Sequence, residues 1–267
     1  MKKLAGDTLK FRKSIMTKTR IGTHLNDTAR LRVRGKDTLS EVVGELSFTE
    51  GFYLVVTGRV PTATQRKVLD AALLVLMDHG LTPSALVARI VADSNPDDIQ
   101  IPLAAGALMV GNRYAGTMVG AGRLLSEGMS FAGDKREWAK GLVAKFRQSK
   151  SRIPGFGHAN YKGVDPRAAR LFEVATAAGV KGDYIALLQT LSEEIDADAG
   201  KRIVLNATGA LGAILHEIDF PVEAMRAVAV VSRCAGLVGH VLEERSSPVS
   251  SDIYALSETI AYEEGVD

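Results

Sequence analysis

Residues 154–170 read PGFGHANYKGVDPRAAR and hold the densest chemistry in the chain. Gly155 and Gly157 precede His158. Glycine allows positive φ or a close backbone approach, so the imidazole is expected on an irregular loop rather than on a packed helix face. Further on, Asp165 and Pro166 give an N-cap followed by a proline at the first helical position, and Ala169, Leu171 and Phe172 begin an apolar stripe. Arg167 then falls in the first turn of that helix. The loop can deliver His158, Tyr161, Lys162 and Arg167 to one place, where the backbone N–H groups of the helix start add to the positive field. Such a group suits a polyanion. On spacing alone the same residues also fit a glycine-rich turn with a solvated histidine.

Three other stretches carry chemistry. Asp78 and His79 stand at the end of a helical pattern just before Gly80, where an imidazolium would also serve as a simple surface cap at the negative end of the helix dipole. Arg233 interrupts an otherwise apolar helical face in VVSRCAGLVGHV, and a desolvated guanidinium needs an anion, either a structural partner or a ligand. The basic run KREWAKGLVAKFRQSKSRI (135–153) leads into the histidine loop with Lys150 and Arg152 at its end. It reads as a solvated face or as an attractor of phosphates.

The elements that must position these groups are legible as helices with start and stop signals. Asp37 is expected to cap TLSEVVGEL. Ser47 and Glu50 form a capping box before FYLVVT, which Gly58 closes, and Thr62 and Gln65 form another before a long helix ended by Gly80. Thr82 and Pro83 start SALVARIVAD, Asp183 is read as the cap of YIALLQTLSEEIDADAG, Asn206 caps ATGALGAILHEI, and Pro221 opens a long apolar helix. Residues 104–125, AAGALMVGNRYAGTMVGAGRLL, carry the small side chains of a tight helix contact. Strand-like alternation is scarce, and the fold class predicted is all-α.

Composition bounds the rest. With 267 residues, 46% hydrophobic and 24% charged, the chain can bury a sizeable core in one large or two small domains. A net charge of +2 argues against bulk binding to nucleic acid. No run of eighteen apolar residues occurs, so no membrane span is expected. The lone Cys234 reads as a small buried hydrophobe, and a cytoplasmic, reducing setting is the simplest. Lys2, Lys3, Lys10, Arg12, Lys13, Lys18 and Arg20 against Asp7 make a basic arm over residues 1–30, solvated or crossing to another subunit, with a transit peptide as the other reading.

The loop closely resembles the signature G-[FY]-G-H-x-x-[YL]-K-x-x-D-P-R of the citrate synthase superfamily, on which His158, Lys162, Asp165, Pro166 and Arg167 fall without a gap. Residues 31–62, LRVRGKDTLSEVVGELSFTEGFYLVVTGRVPT, resemble its structural arginine-glycine phrase. The segment around Asp78 and His79 is similar to its D-H-E-L-x-x-S-T phrase, and Ser232, Arg233 and Gly236 to its S-R-x-x-G. The resemblance implies that His79, Arg167 and Arg233 hold substrate carboxylates. It implies that Gly155, Phe156, Gly157, Lys162 and Arg152 meet coenzyme A. A large helical domain (1–115 and 220–267), a smaller one (116–219) and a homodimer or higher homo-oligomer are further implications. No tightly bound cofactor and no metal are expected, since the coenzyme A thioester is a substrate.

Two departures bear on activity. Where synthases have a catalytic histidine in G-P-L-H-G-G-A, this chain has Tyr114, in a GNRYAG phrase that looks like G-D-R-F-G-G of the citryl-CoA lyases and of the C-terminal part of ATP-citrate lyase. IVLNATGALG resembles L-I-L-N-V-D-G of the same lyases, with Thr208 at the catalytic aspartate. Condensing acetyl-CoA with a keto acid needs a carboxylate to take a methyl proton. Cleaving a β-hydroxyacyl-CoA needs less, with His158 taking the hydroxyl proton and Tyr114 and Thr208 serving the departing enolate. The expected function is therefore cleavage of citryl-CoA or a relative to acetyl-CoA and a keto acid, with condensation, a silent acyl-CoA binder and a helical interaction module as alternatives.

Overall fold

The computed structural model describes residues 18–265 apart from 25 and 28, and the side chains of 112–115 lie outside the described set. The first seventeen residues, with most of the basic arm, lie outside it too. Eleven α-helices, one 3₁₀ turn and one short hairpin make up the described secondary structure, so the chain is all-α. Contacts divide it into two units, Met1–Pro61 and Thr62–Asp267.

In the first unit, β1 (Arg32–Val33) and β2 (Lys36–Asp37) pair antiparallel around Arg34 and Gly35, both at positive φ. Arg34 Nε donates to Val55 O at 2.8 Å and latches this turn onto α1 (Phe48–Thr57). The capping box of Ser47 and Glu50 opens α1, and Gly58 in the left-handed region closes it. The helix expected after Asp37 does not form. Residues 38–45 are a run of turns, in which Asp37 Oδ1 accepts from Leu39 N and Ser40 N as a cap would, without a helix following. Leu39 and Val43 stay exposed, so this stretch has no buried apolar stripe to hold a helix together.

The second unit runs α2 (Ala63–Met77), α3 (Pro83–Ser94), α4 (Gln100–Leu108), α5 (Asn112–Ser130), α6 (Lys135–Gln148), α7 (Pro166–Ala177), α8 (Asp183–Ala199), α9 (Ala207–Glu217), a 3₁₀ turn, α10 (Met225–Glu244) and α11 (Ser250–Ser257). At its centre, α9 is buried along nearly its whole length and packs on α5, α7, α8 and α2. Leu211, Ile214 and Leu215 are fully buried, each stabilising the fold by roughly 1.5–3 kcal/mol. The N-cap of α8 is Gly182, not Asp183. Glycine offers no capping side chain, and Glu217 of α9 accepts from Gly182 N, Tyr184 N and Ile185 N instead. A carboxylate thirty residues and more downstream thus does a local cap's work.

Val222–Glu244 is long and apolar enough to cross a bilayer by length and composition. In the fold it packs on α2, α3, α4 and α5 and carries Arg233 inward. Cys234 on it is half-buried rather than fully buried. Its C-terminal end is fixed by a buried ion pair in which Arg89 of α3 bonds Glu244, while Glu244 also accepts from Val249 N and Ser250 N at the turn into α11. Burial would raise the Glu244 carboxyl, but Arg89 and these N–H groups outweigh it and hold it at about 2. Because the folded value lies below the ordinary 4.5, the stabilisation is complete above that pH and is lost as pH falls toward 2. Glu244→Gln should cost about 1–3 kcal/mol near neutrality by leaving Arg89 with the exposed Glu243 as its carboxylate partner. Melting temperatures from pH 6 to 2 should show the variant lower at pH 6 and the two curves converging in acid; parallel curves would refute the assignment.

Candidate active site

The histidine loop is stitched to the segment that leads into α9. Gly157 N donates to Val204 O at 2.7 Å, Asn206 N donates to Gly155 O at 3.0 Å, and Phe156 bridges to Leu205. Gly155, at φ 89°, lies so near α9 that a Cβ there would stand 2.7 Å from the Cα of Gly209. Two glycines are needed at this crossing. The Phe156 ring packs on the core cluster of Ala139, Leu142, Val143, Leu191 and Ile195, so it anchors the loop from below.

His158 is oriented by its own loop, since Nδ1 accepts from the backbone N–H groups of Asn160 (3.0 Å) and Tyr161 (3.1 Å). An imidazole whose Nδ1 accepts carries its proton on Nε2. That nitrogen faces Nη2 of Arg167 at 3.2 Å. Two N–H donors aimed at one another call for an acceptor oxygen beside them.

Arg167 is held by the fully buried Asp165, which takes its Nε at 3.0 Å and its Nη2 at 2.8 Å while also accepting from Arg167 N and from Ala207 N. Burial would raise the Asp165 carboxyl, but these bonds prevail and hold it below the usual range, so it stays an anion. Asp165 thus caps α7, aims the guanidinium and ties α9 to both. The remaining Nη1 donates to His79 Nε2 at 3.0 Å, and His79 Nδ1 bonds the Asp78 carbonyl. His79 therefore presents the opposite tautomer, protonated on Nδ1. Asp78 accepts from Gly80 N (2.9 Å) and from His240 Nε2 (2.8 Å), which steadies the turn after α2.

Arg233 enters from α10. Ser232 next to it donates to Leu73 O, and Gly236 lets the α10 backbone meet Met77 at the end of α2. Among the described residues Arg233 has no carboxylate partner, and its polar contact is Nη1 to Thr82 Oγ1 at 3.3 Å. Burial, partly offset by Asp78, pulls its pKa below the ordinary arginine value. Thr82 is the N-cap residue of α3 but makes no capping bond. Its hydroxyl is shared between the arginine and Ser84 Oγ at 3.2 Å.

At the start of α9, beside the histidine loop, Thr208 Oγ1 donates to Asn206 Oδ1 at 2.6 Å and lies 2.9 Å from Thr117 Oγ1 of α5. His79, His158, Arg167, Thr208 and Arg233 line one cavity of about 360 Å³, and no carboxylate is among the described residues on its wall. Tyr114 is in the first turn of α5, but its side chain lies outside the described residues. Lys162 and Arg152 are exposed and are not on that wall. Part of the basic charge of α6 is met by α8, through Arg136 with Glu193 and Glu194 and Arg147 with Asp198. Sequence reasoning missed Thr117, Thr82 and the orienting role of Asp165; only the last has a local signal, the two-residue spacing of a capping aspartate from Arg167.

Residues 11–253 match the family described as citrate synthase, C-terminal domain. The chain is 26% identical over 205 residues to the citrate synthase of Heyndrickxia coagulans, covering 76% of this chain and 54% of that one, so it spans about half the length of the curated relatives it matches. The structure of citryl-CoA lyase from Hydrogenobacter thermophilus superposes with a TM-score of 0.84 at 32% identity, covering 95% of this chain and 96% of that one. ATP citrate lyase from Methanothrix soehngenii, solved with citrate and coenzyme A, shares the fold with a TM-score of 0.77 at 21% identity, over 99% of this chain and 44% of that one.

Proposed function

Since this chain belongs to the citrate synthase family, we propose that its cavity cleaves the C–C bond of citryl-CoA or a related β-hydroxyacyl-CoA, yielding an acyl-CoA and a keto acid. The observation that carries the reading is the cavity wall itself: two imidazoles and two guanidiniums converge there, and no carboxylate is among its described residues. Guanidiniums with unspent donors suit the carboxylates of a polycarboxylate acyl group. A missing carboxylate removes a proton carrier from cleavage and condensation alike, so the cavity must supply another. The near-complete mutual coverage with the lyase of Hydrogenobacter thermophilus supports the same direction.

In cleavage, the substrate hydroxyl loses its proton, the carbonyl forms, the C–C bond breaks, and its electron pair passes to the α-carbon of the thioester. Negative charge gathers first on the hydroxyl oxygen. His158 Nε2–H and Arg167 Nη2 are the donors for that oxygen, as their mutual 3.2 Å approach suggests. With Nδ1 occupied by two N–H groups, His158 serves as a donor to this oxygen rather than as the acceptor of its proton. Lys162 and Arg152, exposed beside the glycine loop, suit the phosphates of coenzyme A. The names of the curated relatives favour a second reading, condensation in the reverse direction through the same oxygen site.

Incubating the protein with citryl-CoA and other β-hydroxyacyl-CoA thioesters, and following the acyl-CoA product by mass spectrometry, tests the proposal. Product from citryl-CoA is expected; product formed only from acetyl-CoA and a keto acid would replace it with condensation. Arg233→Lys should weaken binding of citrate-like ligands by about tenfold or more, since the charge is kept but the planar fork is lost. Calorimetry giving parental affinity for the lysine variant would remove Arg233 from the carboxylate clamp.

A further inference from the structure

The hydroxyls of Thr117 and Thr208 form a chain whose proton direction can be worked out. Asn206 Nδ2 donates to Gly157 O at 2.8 Å, which fixes its amide so that Oδ1 faces α9. That oxygen accepts from Thr208 N, Gly209 N and Thr208 Oγ1. A threonine hydroxyl has one proton. Thr208 spends it on Asn206, so across the 2.9 Å contact Thr117 must be the donor. Thr117 is thereby left with lone pairs only, on a cavity that it lines together with Thr208. The two hydroxyls can accept a hydrogen bond from a small donor at Thr117, but they have no proton left to give to an enolate or a carboxylate.

Resting on the lyase reading above, we infer that Thr117, oriented by Thr208 and Asn206, holds a water molecule that relays the proton between the two halves of the substrate. The water gives one hydrogen bond to Thr117 Oγ1. Its oxygen takes the proton released by the substrate hydroxyl as the carbonyl forms, and its second hydrogen goes to the α-carbon that receives the electron pair of the broken C–C bond. One proton enters the water and one leaves it, so the relay regenerates water and needs neither a carboxylate nor a net acid. The imidazoles do not compete for this task. His158 Nε2 already bears a proton, and the lone pair of His79 Nε2 is engaged by Arg167. The relay thus occupies the wall where the family resemblance expects an aspartate and this chain has Thr208.

Thr117→Val keeps the shape of the side chain and removes the acceptor. With a β-hydroxyacyl-CoA that the parent cleaves, kcat should fall about 10²-fold, the low end of the range for a lost proton-transfer group, with KM little changed. The solvent deuterium isotope effect on kcat should rise, because proton delivery becomes limiting. Thr117→Ser should recover most of the rate. A bolt between α5 and α9 without a chemical role would move the melting temperature and leave the isotope effect alone. If valine crowds the wall and the variant melts early, Thr117→Ala read by the same assay takes its place. A parent enzyme that turns over beside valine and alanine variants of unchanged kcat and isotope effect overturns the relay alone. A parent without turnover on any β-hydroxyacyl-CoA overturns the lyase reading and the relay with it.

Discussion

His158→Ala is expected to slow thioester cleavage by about 10²–10³-fold, the loss typical when one donor to a developing oxyanion is removed. The expectation rests on the ring's tautomer. Asn160 N and Tyr161 N both donate to Nδ1, so the Nε2 proton is directed to the cavity beside Arg167. Without the ring, Arg167 is the donor left at that point among the described residues, and it remains aimed because Asp165 holds it through Nε and Nη2. Stability should fall by only about 1–2 kcal/mol, since two loop N–H groups lose an acceptor that water can partly replace. Steady-state rates beside thermal melts check both halves. A variant of full activity would exclude His158 from the chemistry. A variant that lost both activity and several kcal/mol would mean that the ring is a loop support.

Which residues meet in the site was legible in the chain, and what each does there was less so. His79, His158, Arg167 and Arg233 converge from the ends and faces of four segments, as their motif-like settings imply. Their division of labour depends on contacts that spacing does not encode. Opposite tautomers on His79 and His158 follow from one backbone carbonyl and two backbone N–H groups. Thr82 carries the local signature of an N-cap, yet its hydroxyl turns to Arg233, because a buried guanidinium needs a partner more than a helix end near solvent does. Thr117 has no signal at all, since its meaning lies in a neighbour ninety-one positions away.

The same division holds for the fold. Boundaries set by local chemistry were readable: the capping boxes at Ser47 and Thr62, and Asp165 and Asn206 as caps. Residues 38–45 and the start of α8 were not. In the first, Asp37 offers a cap to a segment whose apolar side chains find no burial, so turns result. In the second, Glu217 supplies from α9 what Gly182 lacks. Local signals prescribe where a helix can begin; tertiary contacts decide whether it does.

Thr208→Asp should raise exchange of acetyl-CoA methyl protons with solvent deuterium by about 10²–10⁴-fold, the range for gaining a positioned general base. Exchange needs proton removal and return without a change in any C–C bond, so it isolates the step that the native wall lacks. Residue 208 is the second residue of α9, where the positive end of the helix favours a carboxylate, and Thr117 stands 2.9 Å away as a donor. These offset the cost of a half-buried charge. They also offset the lost bond to Asn206 Oδ1, from which the new carboxylate must turn away. Thr208→Asn supplies the control, with a similar shape and no base. Mass spectrometry of acetyl-CoA in deuterated buffer, with melting temperatures recorded for each variant, reads the result. A folded aspartate variant that exchanges no faster than the asparagine one would mean that the cavity holds the thioester methyl out of reach of residue 208. The threonine would then not be what sets this chain apart in its chemistry.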